Sequence, residues 1–347
     1  MLKPYAALAK NVLAANVTRP GFPYKLTYAL TYLCNYRCKT CNIWKKRPAH
    51  ELSLKEIERF FRLAPRFSWI DLTGGEVFLR KDFLHVVEAI LCSCPDLLLL
   101  HFPTNGYLTD IIVRTVDKIM SWKPEKLIIT VSLDGDESVN DEVRGVRGGW
   151  RRQMETFRQL HSIPGVRVVL GMTLSAHNAD QFENAFLAAR TQWERLGYED
   201  FHVNVAQISG HYYGNQDQDP YQGRREVIIG EIKKYLRHRG WPKNPVAFLE
   251  NQYLKRVESY LRTGRTPVRC QALRSSCFLN PMGDVYPCGM YDRVLGNLRE
   301  NDYDLFRIWN SENGRRLQKE IWEFQCPQCW TPCEAYQSIL GSLLRKR

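Results

Sequence analysis

Residues 33–44 read LCNYRCKTCNIW, directly after an aliphatic and β-branched run at 26–33. Cys34, Cys38 and Cys41 therefore leave one strand end together, separated by three and then two residues. The next cysteine is the distant Cys92. A [4Fe-4S] cube usually takes four cysteines, so three predict a cluster with one iron open to a small-molecule ligand. A structural zinc ion normally takes four protein ligands, which suits this loop less well.

Working outward, apolar runs at 26–33, 68–73, 97–102, 127–133, 166–174 and 201–208 read as strands. Amphipathic stretches at 54–63, 83–91, 108–120 and 180–196 read as helices between them. Units of about 30 residues are the size of a βαβ element. Six of them fall short of the eight in a full barrel of about 250 residues. The predicted fold class is α/β, a partial (β/α)6 TIM-like barrel, with a small cysteine-rich C-terminal domain. The cysteine loop then sits at the C-terminal edge of the strands, where barrels place their chemistry. The expected division is an amphipathic helix over 1–24, the barrel over 25–215, a helical connector over 216–265 and the auxiliary domain over 266–347.

Of the 347 residues, 44% are apolar, enough for a large core, and the formal charge is +12. That charge favours anionic partners. The basic residues are scattered apart from 45–47 and 345–347, and no nucleic acid partner is expected. No apolar run reaches the roughly 20 residues of a membrane span. Residues 1–16, MLKPYAALAKNVLAAN, are interrupted by Lys10 and Asn11, which argues against a signal peptide. As a helix this segment is expected to pack on the main body, with peripheral membrane contact as the alternative. Eleven cysteines and no export signal point to a reducing, cytoplasmic setting. Cys92 and Cys94 are expected to be packing residues.

The Cys34-x3-Cys38-x2-Cys41 loop at the first strand end strongly resembles the defining element of the radical S-adenosylmethionine superfamily, and the resemblance covers nearly the whole chain. It implies that the open iron chelates the amino and carboxylate groups of S-adenosylmethionine. It also implies that an electron, supplied by a reductant such as flavodoxin or ferredoxin, cleaves the sulfonium. The products are methionine and a 5'-deoxyadenosyl radical that abstracts hydrogen from a substrate. Many members carry an aromatic residue before the third cysteine, near the adenine; Thr40 stands there in this chain, so that contact does not carry over.

LTGGE at 72–76 matches the family element that holds the methionyl amino group. Gly74 and Gly75 would let a ligand approach the backbone, and Glu76 would accept from the ammonium. VSLDG at 131–135 with DEVRG at 141–145 resembles the segment facing ribose or carboxylate, which makes Ser132 and Arg144 candidates, Arg144 as a bidentate donor. Asn105 and Asn178 occupy matching strand ends, where Asx turns are the default. RGVRGG at 144–149 reads as a turn. For acid–base work the candidates are His202 on the sixth strand, and His211 and Tyr212 in the loop QISGHYYGN at 207–215.

Near the C-terminus, Cys270, Cys277 and Cys288 precede Cys326, Cys329 and Cys333, and NPMGDVYPC at 280–288 reads as a hairpin turning at Gly283. The spacing and the LGN and IWNS phrases resemble the SPASM and twitch extensions of the same superfamily. A zinc ribbon is the rival. Six thiolates are too few for two four-cysteine cubes, so one auxiliary [4Fe-4S] cluster is expected, with two cysteines spare or a second, incompletely ligated site. Some relatives carry an acid beside the hairpin cysteine; here the neighbour is Gly289.

The resulting expectation is an oxidoreductase or bond-forming radical enzyme, with the basic surface leaning towards an anionic or lipid-derived small molecule. A peptide maturase is the alternative, and a non-catalytic, zinc-stabilised binding module is the reading from another class.

Overall fold

Parallel strands need crossovers of a dozen or more residues and cover on both faces. The computed structural model describes residues 2–47 and 49–342, so the basic run at 345–347 lies outside the described residues. Helix α1 (Leu2–Val17) leads into β1 (Lys25–Thr31), α2 (Leu54–Leu63), β2 (Trp69–Gly74), α3 (Phe83–Ser93) and β3 (Leu99–Thr104). Then come α4 (Thr109–Ser121), β4 (Leu127–Ser132), α5 (Glu137–Arg144), α6 (Gly149–His161), β5 (Arg167–Leu174), α7 (Phe182–Gln192) and β6 (Phe201–Val205). The C-terminal part holds α8 (Arg225–Arg239), α9 (Pro245–Thr263), β7 (Ser276–Leu279), β8 (Asp284–Tyr286), β9 (Gly296–Asn297), α10 (Leu305–Asn310), α11 (Glu312–Trp322) and α12 (Pro332–Leu340).

All six barrel strands pair in parallel with their sequence neighbours. Local signals set the helices. Ser53 caps α2 in a reciprocal capping box with Glu56, while Ile57, Phe60 and Phe61 turn inward. The 144–149 segment is the expected turn: Gly145 and Gly148 take left-handed φ values of +69° and +74° between α5 and α6. Cys94 is buried as expected, whereas Cys92 is exposed.

The sheet does not stop at β1. Its order is β6-β5-β4-β3-β2-β1-β7-β8-β9, with β7 parallel to β1 and β8 and β9 antiparallel beyond it. The predicted hairpin is present and turns at Gly283 (φ +92°), but it continues the barrel sheet where the sequence reading set it in a region apart. The physical reason is that β1 would otherwise expose a row of unpaired backbone groups.

Lys25 opens β1 and is fully buried. Its ammonium lies 2.9 Å from Asp71 on β2, donates to the Cys333 carbonyl and to Gln337 on α12, and sits 4.4 Å above the Trp69 ring. Burial works to lower the lysine pKa, and Asp71, Cys333 and Glu334 together raise it above its ordinary value. Lys25 and Ser276 are register partners, and Ser276 donates to Glu334 on α12, so α12 lies on this face of β1 and β7.

Removing one partner of a buried ion pair leaves an uncompensated charge, which costs about 3–5 kcal/mol. Lys25→Met should therefore lower unfolding stability by about that much in denaturant titrations, and adding Asp71→Asn should restore a large part of it. A loss below about 1 kcal/mol in the single variant would show that the pair does not hold β1 to α12.

Candidate active site

One cavity of about 1030 Å³ follows the inner face of the sheet. At one end its wall holds Cys34, Cys38, Cys41, Gly74, Gly75, Ser132 and Arg144; at the other lie α1, through Tyr5, Leu8, Ala9 and Val12, and the segment joining α8 to α9. Thus α1 packs on the body with one side on the cavity wall.

The paired glycines have a more specific task than admitting a ligand. A Cβ on Gly74 would stand 2.2 Å from the Thr31 carbonyl oxygen, and one on Gly75 would stand 2.0 Å from that of Leu33. Gly75 N donates to Thr31 O and Glu76 N to Leu33 O, each at 2.8 Å. The end of β2 is thereby docked on the backbone of the cysteine loop. The Gly74 N–H is itself taken by the Tyr212 hydroxyl at 3.2 Å, which also bonds Thr73 at 2.7 Å.

Glu76 differs from its expected role. Its carboxylate accepts from Asn105 N at 2.6 Å, Thr104 Oγ1 at 3.0 Å and Phe78 N at 3.3 Å, and it is not on the cavity wall. It braces the tip of β3 to the tip of β2, and Asn105 in turn donates to Asn35 in the cysteine loop at 2.7 Å.

Arg144 faces the cavity beside the thiols. Its Nη1 bonds Asp134 at 2.7 Å, its guanidinium lies 5.2 Å from the Tyr36 ring centroid, and its Nε is buried with no partner among the described residues. Burial would lower its pKa, but Cys38 and Asp134 raise it overall. Asp134, within VSLDG, has no role that its local sequence reveals. The structure makes it the organiser of this corner: it also accepts from Thr173 N at 2.9 Å, and its own N–H donates to Asn140. Asn178 has an internal role, bonding Ser175, Thr173 and the Asp134 carbonyl.

Donor chemistry at this mouth suits an iron–sulfur cluster with a polar, carboxylate-bearing ligand. Burial pushes the Cys34 thiol up to about 11 and Cys41 up to about 12, so their ionisation must be coupled to a cationic partner. The Tyr36 hydroxyl, Trp44 Nε1 and Arg144 Nε are buried on cavity-lining residues and have no partner among the described residues. Such unsatisfied donors are rare in folded proteins and mark a place where a polar ligand belongs.

The other candidates separate cleanly. His202 lies on the cavity wall with Nδ1 2.6 Å from Glu250 on α9. Tyr212 reaches the wall with its hydroxyl committed to Thr73 and Gly74. His211 does not face the cavity. It stacks on Tyr286 at 4.0 Å and approaches the Cys288 carbonyl at 3.1 Å, and burial pushes its pKa down to about 4. Its apolar β7–β8 surroundings, invisible in the sequence, removed it from the candidate set.

The C-terminal cysteines also divide. Cys270, Cys288, Cys326 and Cys329 line one small second cavity, Cys333 faces the barrel cavity, and Cys277 on β7 lines neither. Burial raises all four thiols of the second cavity, most strongly Cys288 and Cys329.

A partial barrel that gathers three thiols at one mouth, with four more around a separate cavity, has the layout of an iron–sulfur enzyme. Family profiles make the class specific: the Radical SAM superfamily matches residues 28–188, and SPASM, an iron-sulfur cluster-binding domain, matches residues 270–330. The chain is a radical S-adenosylmethionine superfamily enzyme with a C-terminal SPASM domain, and its cofactors are S-adenosylmethionine, a [4Fe-4S] cluster and an auxiliary iron–sulfur cluster.

Among its relatives is the mycofactocin maturase MftC of Mycolicibacterium smegmatis, 26% identical over 327 residues, covering 88% of this chain and 75% of MftC. The antilisterial bacteriocin subtilosin biosynthesis protein AlbA of Bacillus subtilis is 24% identical over 320 residues, covering 90% of this chain and 64% of AlbA. The chain thus spans under two thirds of AlbA. The crystal structure of Streptococcus suis SuiB bound to S-adenosylmethionine shares the fold, with a TM-score of 0.62 at 17% identity over 90% of this chain and 71% of SuiB. SuiB is also known bound to its precursor peptide SuiA, with a TM-score of 0.60 over 90% of this chain and 70% of that one.

Glu76 supplies a pH test of this architecture. Burial raises its carboxyl to about 7 against the hydrogen bonds from Asn105 and Thr104. A carboxyl raised in the fold stays protonated while the unfolded chain ionises near its ordinary value of about 4.3. Its contribution is therefore full below that value and is lost as pH climbs to about 7, amounting to about 4 kcal/mol. Denaturant titrations should show stability falling across that window, and Glu76→Gln should flatten the fall. An unchanged slope in the variant would assign the pH dependence elsewhere.

Proposed function

We propose that this enzyme matures a peptide, forming a radical on a segment held in the barrel cavity beside the Cys34–Cys38–Cys41 loop. The observation that carries the reading is the shared cavity. The three thiols, the unsatisfied Arg144 and Tyr36 donors and a deep, largely apolar chamber form one continuous space. Two relatives are named for a maturase and for bacteriocin biosynthesis, and SuiB takes a precursor peptide, which supports a peptide over the anionic or lipid-derived small molecule suggested by surface charge.

In this reading Cys34, Cys38 and Cys41 hold the cluster that binds S-adenosylmethionine, and that pair supplies a hydrogen-abstracting 5'-deoxyadenosyl radical. Arg144 offers its free Nε–H to the cofactor carboxylate, while Asp134 fixes the guanidinium plane. Ser132 stands on the same wall at the tip of β4. Gly74, Gly75 and Glu76 position the loop. Cys270, Cys288, Cys326 and Cys329, which share the second cavity, would hold the auxiliary cluster, and Cys277 and Cys333 would fall outside the ligand set.

Anaerobically reconstituted enzyme should bind about eight irons per chain, four per cube. It should release 5'-deoxyadenosine from S-adenosylmethionine under dithionite. Alanine at Cys34, Cys38 or Cys41 should abolish release. Cys288→Ala should lower iron to about four while sparing release, and Cys277→Ala or Cys333→Ala should leave about eight. A value near twelve, or iron loss in the last two variants, would defeat this cysteine assignment. For the substrate, a cell-extract fraction that accelerates release should lose that power on protease treatment; a protease-resistant activator would favour the small-molecule reading.

A further inference from the structure

His202 stands far along the chain from the cysteine loop, yet it lines the same cavity and shares a register row with Ser132. Ser132 pairs with Gly171, and Gly171 pairs with His202. Paired residues on neighbouring strands point to the same face. His202 is thus two strands across from Ser132 on one row of the cavity wall, although Ser132 ends its strand and His202 nearly begins its own. The residue between them has no side chain, and the Thr130 methyl takes its place, 2.3 Å from where a Cβ on Gly171 would stand.

The ring of His202 is held from behind. Glu250 Oε1 is 2.6 Å from Nδ1, and the Tyr336 hydroxyl of α12 is 3.3 Å from the same nitrogen. Glu250 is gripped in turn by the Arg239 guanidinium at the end of α8. Burial works to raise the Glu250 pKa, but His202 and Arg239 bring it below its ordinary value, so the group is an anion and accepts only. Nδ1 must then carry a proton, and in the neutral imidazole the lone pair falls on Nε2. No described residue bonds Nε2, and the residue is on the cavity wall. The other cavity histidine contrasts with this: His101 has both nitrogens engaged, by Asp71 at 3.2 Å and Thr130 at 2.9 Å.

We infer that His202, oriented by Glu250, is the proton acceptor for a substrate whose radical carbon bears an N–H or O–H group. Removing a hydrogen atom from such a carbon leaves a radical. Loss of the adjacent proton to Nε2 and of one electron to an iron–sulfur oxidant then gives a closed-shell C=N or C=O product. The imidazolium is stabilised by the Glu250 carboxylate until its proton returns to solvent. His202 is a catalytic residue in this scheme and Glu250 a positioning residue. The assignment rests on the radical reading above, and it specifies an oxidation at carbon next to nitrogen or oxygen.

Two measurements test it. In the full-length holoenzyme, diethyl pyrocarbonate should label His202 at Nε2, as mapped by mass spectrometry. Independently, with the extract fraction that accelerates cofactor cleavage, His202→Gln and Glu250→Gln should lower product formed per 5'-deoxyadenosine by about 100-fold, the scale of general-base catalysis. Glu250→Asp should recover part of that loss, which a purely structural role would not predict. An unlabelled His202, or product formation in His202→Gln at the unaltered enzyme's level, would overturn the proposal. Neither result alters 5'-deoxyadenosine release by the unaltered enzyme, on which the radical reading stands.

Discussion

Between the end of β2 and the cysteine loop there is no room for a side chain. With Gly74 and Gly75 a Cβ would fall 2.2 Å and 2.0 Å from loop carbonyl oxygens, and the organisation of the mouth follows from that contact. The two backbones hydrogen-bond, Glu76 is carried inward to bond the tip of β3, and Asn105 there reaches back to Asn35 in the loop. Loop, β2 and β3 close a ring of hydrogen bonds behind the three thiols. A loop with three cysteines would otherwise sample many shapes; the ring fixes one arrangement before any ligand arrives, which is how a site avoids ordering costs on binding.

Several charges inside the barrel are held in pairs. Arg144 and Asp134 occupy the cysteine end, Lys25 and Asp71 lie deeper, and Glu250 is shared by His202 and Arg239. Buried pairs of this kind add little net stability compared with apolar packing. What they contribute is direction: a guanidinium with its free N–H and an imidazole with its free nitrogen are both held from behind by carboxylates. The hydroxyl of Tyr212 plays a similar part for the β2 tip, so a residue read first as chemically active belongs to the scaffold.

The C-terminal region is joined to the barrel by strand pairing and by α12. Because β7 continues the sheet at β1, the second group of thiols is carried beside the barrel, and α12 brings Cys333 and Tyr336 to the cavity wall. Six cysteines that look alike in the sequence thereby acquire three different environments.

The sequence by itself determined the elements whose signals are local. Periodicity located the six strands within a few residues, the turn at Gly283 followed from its neighbours, and the spacing of Cys34, Cys38 and Cys41 at one strand end specified an iron–sulfur loop. The tertiary structure alone decided what depends on register and burial. Ser132, Gly171 and His202 lie on one row because strands in a barrel are staggered, and no local pattern encodes stagger. His211 was lost to a stack on Tyr286, and Glu76 turned to β3, because each side chain's partner comes from a distant segment. The division of the cysteines likewise waits on folding, since a metal site is a convergence in space and spacing along a chain constrains only neighbours within a few residues.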